Sequence, residues 1–478
     1  MILLKYKAVL LLLLLACFNA AAQPAFTSSD KAVEKAFNWA KEQALHYRGA
    51  ATDPVGPWYE SALPPRSAFC MRDVSHQCIG AEILGLSREN TNMFNLFAGH
   101  ISQSKDWCSY WEINKWNKPA PDDYRNDKEF WYNLPANFDV LNASWRMYLW
   151  TGNRHYIDAP AFVNFQQRTV NEYISIWVLA ADSLLKRPAH PNAPVPYNES
   201  DSFHRCRGLP SYSEGVQNLK TGVDLVAALY RGMITYSEIL NNKGKHKEAA
   251  VYAQKAQKYL ARLEADWWSD KDDQYYTYYS NTGQFGKDEG ETFLLWFDAL
   301  KDTVRANKTL DRVTAAKINV ENMSYYPFLF YKFGRWDKGR EYMLLLSDPS
   351  TARREYPEVS YGIIEGVTQG LMGISPDART QTLITIYKTD TAGNASISNV
   401  PLLNTNINLA HLSRQQSAIK NTGAKAFKWK AMFYGTFKHA AVNGKTIAVK
   451  IGKDLQNKPV SFVETAVNPG QNVNVKVY

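Results

Sequence analysis

Arg72 and Asp73 stand side by side in residues 66–86, RSAFCMRDVSHQCIGAEILGL, where an irregular aromatic loop gives way to an apolar-periodic helix. An ionic pair at such a junction is placed to meet a ligand. The local alternative is that Asp73 caps the helix through the free amides near Ser75 and His76, with Arg72 a solvated neighbour. Two more loops of this kind follow, residues 105–139 and 197–215. Both are longer than the connections compact domains usually carry, and long ordered loops tend to hold function.

Acids on such loops set the possible chemistry. Glu214 lies in LPSYSEG, residues 209–215, just ahead of an apolar helix. Glu355 or Glu358 lies in RREYPEVSYG, residues 353–362, where Pro357 fixes the loop and Tyr356 and Tyr361 flank it. Two carboxyl groups at one mouth, one protonated and one ionised, can give a proton to a leaving oxygen and activate water, which is what cleavage of a glycosidic bond requires. Trp107, Trp111 and Trp131 offer flat faces for sugar C–H surfaces, Asp127 is a hydroxyl ligand, and Tyr212 and Tyr356 come from the acid-bearing loops. Each has a structural reading beside the functional one. Glu214 suits the start of a helix, Glu355 and Glu358 could pair with Arg353 or Arg354, and Trp131 could pack under its loop. Asp288, Glu289 and Glu291 read mainly as a helix start, and Asp122 and Asp123 beside Arg125 as a solvated patch of charge.

These residues need a scaffold, and from Asp30 to about Met372 the dominant period is helical. Val33, Ala36, Phe37, Ala40 and Ala44 mark a first helix between Asp30 and Gly49. Others are expected over 74–86, 87–104, 134–150, 161–185, 291–300, 313–333 with a break at Pro327, 335–346 and 361–372. Val226 to Leu240 and Ala249 to Leu263 give two more. Eleven or twelve helices joined alternately by short and long connections read as repeated hairpins. After Asp377 the period changes to two, clearest at 446–451 after Asn443-Gly444 and at 473–477, so residues 378–478 read as a small antiparallel β-sandwich.

The chain has 478 residues, 45% of them hydrophobic, enough for a large core and two domains. Residues 1–22, with Lys5, Lys7, an apolar run and small residues at Ala20 and Ala22, read as a secretory leader cleaved before Gln23, giving a periplasmic or extracellular protein. The run is short for a membrane span. Cys17 invites lipid anchoring, but Leu15 is bulky for the position two before it. Losing Lys5 and Lys7 lowers the formal charge from +9 to +7. Without dense basic runs, that modest excess argues against a nucleic-acid partner. Cys70, Cys78, Cys108 and Cys206 would meet an oxidising compartment, where at most one or two disulfides are expected, and no spacing suggests a metal site or other cofactor.

The arrangement resembles the six-hairpin glycosidase superfamily, the (α/α)6 toroids that include glucoamylase-like and α-L-rhamnosidase-like hydrolases, over about residues 30–377. Cys70-Met-Arg-Asp-Val74 is similar to the Arg-Asp loop that grips the innermost sugar in several of these families. Residues 209–214 with the helix from Thr221 resemble the general-acid loop and its helix, and residues 360–376 resemble the last toroid helix leading to a terminal β-domain. Residues 421–444 resemble that appended domain, while the aromatic insert 105–133 matches no part of the superfamily pattern. The resemblance implies an exo-acting, inverting hydrolase with Glu214 as acid and Glu358 or Glu355 as base. Two rivals stand beside it. One is a lyase cleaving uronate-containing glycans by β-elimination, using His76 or His204 with Tyr212, Arg205 and Arg207. The other is a non-catalytic glycan-binding protein of a surface uptake system.

Overall fold

The computed structural model describes residues 23–478 apart from Pro65, Pro194, Val195, Gln217 and Lys317, so the expected leader and Cys17 lie outside the described residues. Six outer helices, Lys31–His46, Ser87–Gly99, Pro160–Arg168, His246–Asp266, Thr303–Ala315 and Trp336–Ser347, alternate along the chain with six inner ones. The inner helices are Met71–Ile83, Ala136–Thr151, Val223–Asn242, Glu291–Trp296, Tyr326–Lys332 and Pro357–Glu365. Outer helices carry one apolar stripe; Lys31–His46 buries Val33, Ala36, Phe37, Ala40 and Ala44, with Asp30 capping the Val33 amide at 3.3 Å. Inner helices are covered nearly all round. Every residue of Pro357–Glu365 is buried, and Met71–Ile83 leaves only Arg72 and Asp73 incompletely covered.

The inner helices close a ring. The sixth packs on the first, the first on the second, the second on the third and the third on the fourth. The fourth reaches the fifth through Phe293 and Trp296 against Tyr325, and the fifth packs on the sixth. Returns from inner to outer helices are short and turn on glycines such as Gly152 (φ 75°) and Gly244 (φ 75°), a backbone region costly for residues with a Cβ. Connections from outer to inner helices are longer. They span 47–70, 100–135, 177–222, 267–290, 316–325 and 348–356, and all deliver the chain to the N-terminal ends of inner helices. One end of the ring therefore collects every long loop and the positive ends of the inner helix dipoles.

Past the toroid lies the sandwich. Its seven-stranded sheet runs Ala25–Ser28, Ala395–Leu402, Thr405–Ser413, Gln416–Asn421, Asn472–Val477, His439–Val442, Lys445–Ala448. The facing five-stranded sheet runs Ser375–Asp377, Thr382–Ile386, Phe427–Tyr434, Pro459–Val467, Lys450–Lys453, with one parallel pairing between Thr382–Ile386 and Phe427–Tyr434. Alternate residues Ile397, Leu409, Ile419 and Val475 and, from the other sheet, Leu383, Trp429 and Val463 are buried. The strand Ala25–Ser28, which precedes the first toroid helix, pairs with residues 395–398 and so belongs to this sheet. The sandwich docks where inner helices end: the Leu403 amide donates to the Trp150 carbonyl at 2.8 Å, and His411 Nε2 meets the Met372 carbonyl at 3.0 Å. It thus braces the end opposite the long loops.

Several expectations change in detail. The helix expected over 161–185 stops at Ile176 after a π-helical turn at Thr169–Tyr173. The one expected over 313–333 is three pieces, Thr303–Ala315, Val320–Met323 and Tyr326–Lys332, because Pro327 serves as a helix start and not as a kink. Cys70, Cys78, Cys108 and Cys206 are all buried and unpaired, so the expected disulfides do not form. Cys70 and Cys78, for example, are spaced along one helix by about 12 Å, beyond the reach of a bridge.

Candidate active site

The inner helices of the ring present acids in their first turns, Asp73, Asp139, Asp224, Glu291 and Glu358, and Glu321 sits on the short helix ahead of the fifth. Hydrogen bonding sorts them. Asp224 is used up locally, accepting from Ser211 Oγ at 2.9 Å and from the Tyr212 amide, which fixes the loop carrying Glu214. Glu291 is clamped by Arg312, whose Nε lies 2.8 Å from both oxygens. Asp139 accepts from Tyr212 Oη and from Trp296 Nε1, each at 3.2 Å, and burial lifts its carboxyl to about 7. These three hold the walls. Asp73 and Glu358 feel one another's charge and that of Arg72, and Glu321, which pairs with Arg353 at 3.6 Å, adds to both.

Asp73 does not cap its helix. Cys70 is the N-cap residue and Asp73 lies inside the first turn, where it accepts from Arg72 Nε at 3.2 Å. Burial pushes its carboxyl up, against the opposing pull of Arg72. The Arg72 guanidinium stands 5.4 Å from the centroid of the Tyr212 ring and feels Asp73, Tyr325 and Glu214 together. Glu358 is buried in the first turn of the sixth helix, started by Pro357. Burial, and next the charge of Asp73, raise it well above the ordinary carboxylate range. Glu214 comes from the opposite side, on the loop leading to the third helix. Its Oε1 accepts from Asn133 Nδ2 at 3.1 Å, and burial raises its carboxyl while Arg72 lowers it. Asn133 also receives Trp131 Nε1 at 2.8 Å, tying an aromatic face to the acid.

The structure therefore brings together Arg72, Asp73, Tyr212, Glu214 and Glu358, with Trp131 joined through Asn133. Trp111 is buried beside Tyr212, ring centroids 6.4 Å apart, and forms wall more than platform. Tyr356 is half-buried, its hydroxyl within the influence of Glu321 and Glu358. Glu355 is exposed, its carbonyl receiving the Tyr47 hydroxyl, because it precedes the proline that starts the helix. Trp107 lies under Arg168, 4.6 Å from its centroid, and Asp127 accepts from Tyr124 at 2.5 Å within the insert. Neither touches the Glu214 group. Asp123 is not a solvated charge: it is buried, pairs with Glu112 and Arg66, and helps push Glu112 up to about 9 after burial, while Arg125 turns to Asp201 at 2.7 Å. The residues a β-elimination would draw on are dispersed. His76 is buried, stacked on Tyr325 at 3.7 Å, whereas His204, Arg205 and Arg207 line a separate pocket that Tyr212 does not.

Glu321, Tyr325 and Asn133 enter the site with no signal in their loop context, and Glu289, which reads mainly as part of a helix start, borders it. Glu289 accepts from Asn322 Nδ2 at 2.8 Å, and the Tyr325 hydroxyl is buried without a partner among the described residues. The signal that could have found Glu321 and Asp139 is positional: acids in the first turns of alternate helices. Among the described residues no group of three or more His, Cys, Asp or Glu is arranged to hold a metal ion, and no helix is long and apolar enough to cross a membrane.

No family model matches the chain, and no curated protein matches its sequence. Solved structures do match. The α-L-rhamnosidase from Dictyoglumus thermophilum superposes with a TM-score of 0.59 at 12% identity, over 95% of this chain and 50% of that one. The GH78 family rhamnosidase of Bacillus sp. GL1 gives 0.57 at 12%, over 84% and 41%. A putative kojibiose phosphorylase from the human microbiome gives 0.55 at 9%, over 94% and 68%. This chain spans about half the length of the rhamnosidases it matches. The toroid and sandwich are those of the six-hairpin glycosidase and rhamnosidase-like fold.

Proposed function

We propose that this chain is an exported glycoside hydrolase that removes a sugar from the end of an oligo- or polysaccharide, with Glu214 as general acid and Glu358 as general base. The observation that carries the reading is the convergence of Glu214 and Glu358 on Arg72-Asp73 from the third and sixth positions of a six-membered ring. Opposed positions leave room for a sugar and a water between the carboxyls, which favours inversion. Arg72 and Asp73 grip hydroxyls of the terminal ring, and Trp131 supplies a face to stack on. Glu214, raised by burial, keeps a proton for the leaving oxygen. Asp73 and Glu358 are close enough to compete for ionisation, so Glu358 works as base once the pair has shed its proton. The solved structures of matching fold include rhamnosidases, which places α-L-rhamnosides first among the substrates to try. Export rests on the leader read in residues 1–22.

One observation favours the reverse roles: burial and Asp73 raise Glu358 well above its ordinary range, the condition expected of an acid. A panel of aryl glycosides headed by α-L-rhamnosides, with wild type and Glu358→Gln, tests the function. Release of aryl alcohol by wild type and its loss in the variant, fold intact, is the expected outcome. No turnover across neutral and acidic glycosides would overturn the assignment.

A further inference from the structure

Beside the acid loop is a second pocket whose walls are unusually basic. Arg187, His190, His204, Arg205 and Arg207 line it with Tyr197, and Glu199 is the acid among the described lining residues. Three donors of this wall, Arg187 Nε, Tyr197 Oη and Arg207 Nε, are buried and have no hydrogen-bond partner among the described residues, while His204 Nε2 meets Glu129 Oε1 at 3.0 Å. Buried donors without acceptors are costly, and several in one pocket call for a shared acceptor.

Arg187 is the most telling. It is 2% exposed and donates to the Lys220 carbonyl at 2.9 Å and the Trp177 carbonyl at 3.1 Å, yet makes no ion pair among the described residues. Burial without a counter-charge lowers it to about 10. Arg207 is held by Asp106 and by the faces of Phe130 and Trp177, 5.1 Å from each centroid, which leaves Nε over. His190 stacks on Tyr197 with centroids 4.1 Å apart. The pocket also abuts the acid loop: Leu209 and Pro210 line it, and the Cys206 thiol between Arg205 and Arg207 feels the charge of Glu214.

We infer that this pocket binds an oxyanion, a carboxylate or sulfate group, through Arg187, Arg205 and Arg207. Planar guanidinium donors suit such groups, and the neutral side chains beside them complete the cradle. The oxyanion comes either from an acidic glycan whose neutral end occupies the ring, or from free anion that stiffens the strand Arg207–Leu209. That strand pairs with Tyr132–Asn133 and so supports the Asn133 contact to Glu214.

The test titrates the full mature chain with sodium sulfate against sodium chloride at matched ionic strength, following tryptophan fluorescence and the unfolding midpoint. Wild type should show a saturable response to sulfate that chloride lacks. Arg187→Met and Arg205→Gln should each weaken it at least tenfold; Arg205 makes no ion pair among the described residues, so the second variant serves if the first does not fold. A uronate- or sulfate-bearing oligosaccharide that binds more tightly than its neutral counterpart, and that sulfate displaces, identifies a glycan-borne group. Sulfate binding without that preference identifies free anion. A sulfate response no different from chloride, or one unchanged in both variants, would overturn the inference. Neither readout depends on hydrolysis, so its failure is separable from failure of the glycosidase reading.

Discussion

Replacing Gly80 with alanine should damage activity far more than stability. Gly80 lies mid-helix, where glycine is worse than alanine by about 1 kcal/mol, so packing must be the reason for it. A Cβ there would stand 2.6 Å from the Tyr361 carbonyl oxygen and 3.1 Å from its Cα. Reaching an ordinary contact of 3.4 Å requires the first and sixth inner helices to part by about 0.8 Å. Overpacking of this kind costs about 1–3 kcal/mol. The gain in helix propensity offsets part of that, leaving a net loss of about 0–2 kcal/mol. Asp73 lies two turns before Gly80 on the first helix, and Glu358 one turn before Tyr361 on the sixth, so the wedge changes the spacing between them. A misplacement near 1 Å can cost about 100-fold in rate, or about 2.7 kcal/mol of barrier. Gly80→Ala should therefore lower kcat/KM by about 30–100-fold on whichever aryl glycoside wild type hydrolyses, while the unfolding midpoint falls by only a few degrees. Gly99, whose Cβ would meet nothing within 4 Å, is the control and should be neutral as alanine. Wild-type kcat/KM in Gly80→Ala, or a loss no greater than the unfolded fraction, would refute the reasoning.

Asp73→Asn removes a like charge beside Glu358, so the Glu358 carboxyl, raised by burial and then by Asp73, comes down. The acid limb of the kcat/KM profile should then move to lower pH by about one unit, a change worth about 1.4 kcal/mol; an unmoved or raised limb counts against the pair. Trp131→Ala should raise KM about tenfold, close to the low end of the about 1.5–3 kcal/mol that burial of a large apolar side chain supplies, whereas Trp107→Ala should leave KM unchanged because Arg168 covers that ring. Equal effects in steady-state kinetics would contradict the placement. Cys70, Cys78, Cys108 and Cys206 should react with a thiol reagent only after denaturation, and reductant should not shift the unfolding midpoint. Thiols lost on oxidation of the native protein would show a bridge.

Much of the scaffold was legible because inner helices are apolar all round and outer helices on one face, a contrast that periodicity reads directly. The ends of elements were less so. Pro327 reads as a break in an expected long helix, yet it is a start, since proline suits a first turn as well as it disrupts an interior. Strand Ala25–Ser28 could not be assigned to the sandwich from sequence, because its partner lies some 370 residues away. In the site, Arg72, Asp73, Glu214 and Glu358 stood out by loop context. Trp107 and Asp127 have the same residue types on the same kind of loop, and only three-dimensional placement separates them from Trp131. Asp123 looked solvated beside Arg125 because sequence neighbours are not spatial partners; Arg66 and Glu112 supply its burial.

The most direct test of the acid–base pair compares Glu214→Gln and Glu358→Gln on two substrates of one sugar, with a good aryl and a poor alkyl leaving group. The account predicts that Glu214→Gln keeps much of its rate on the aryl glycoside and loses the alkyl one by at least about 100-fold, since only the poor leaving group needs a proton. Glu358→Gln should lose both alike. The opposite pattern would exchange the two roles, and full activity of both variants on both substrates would contradict the account.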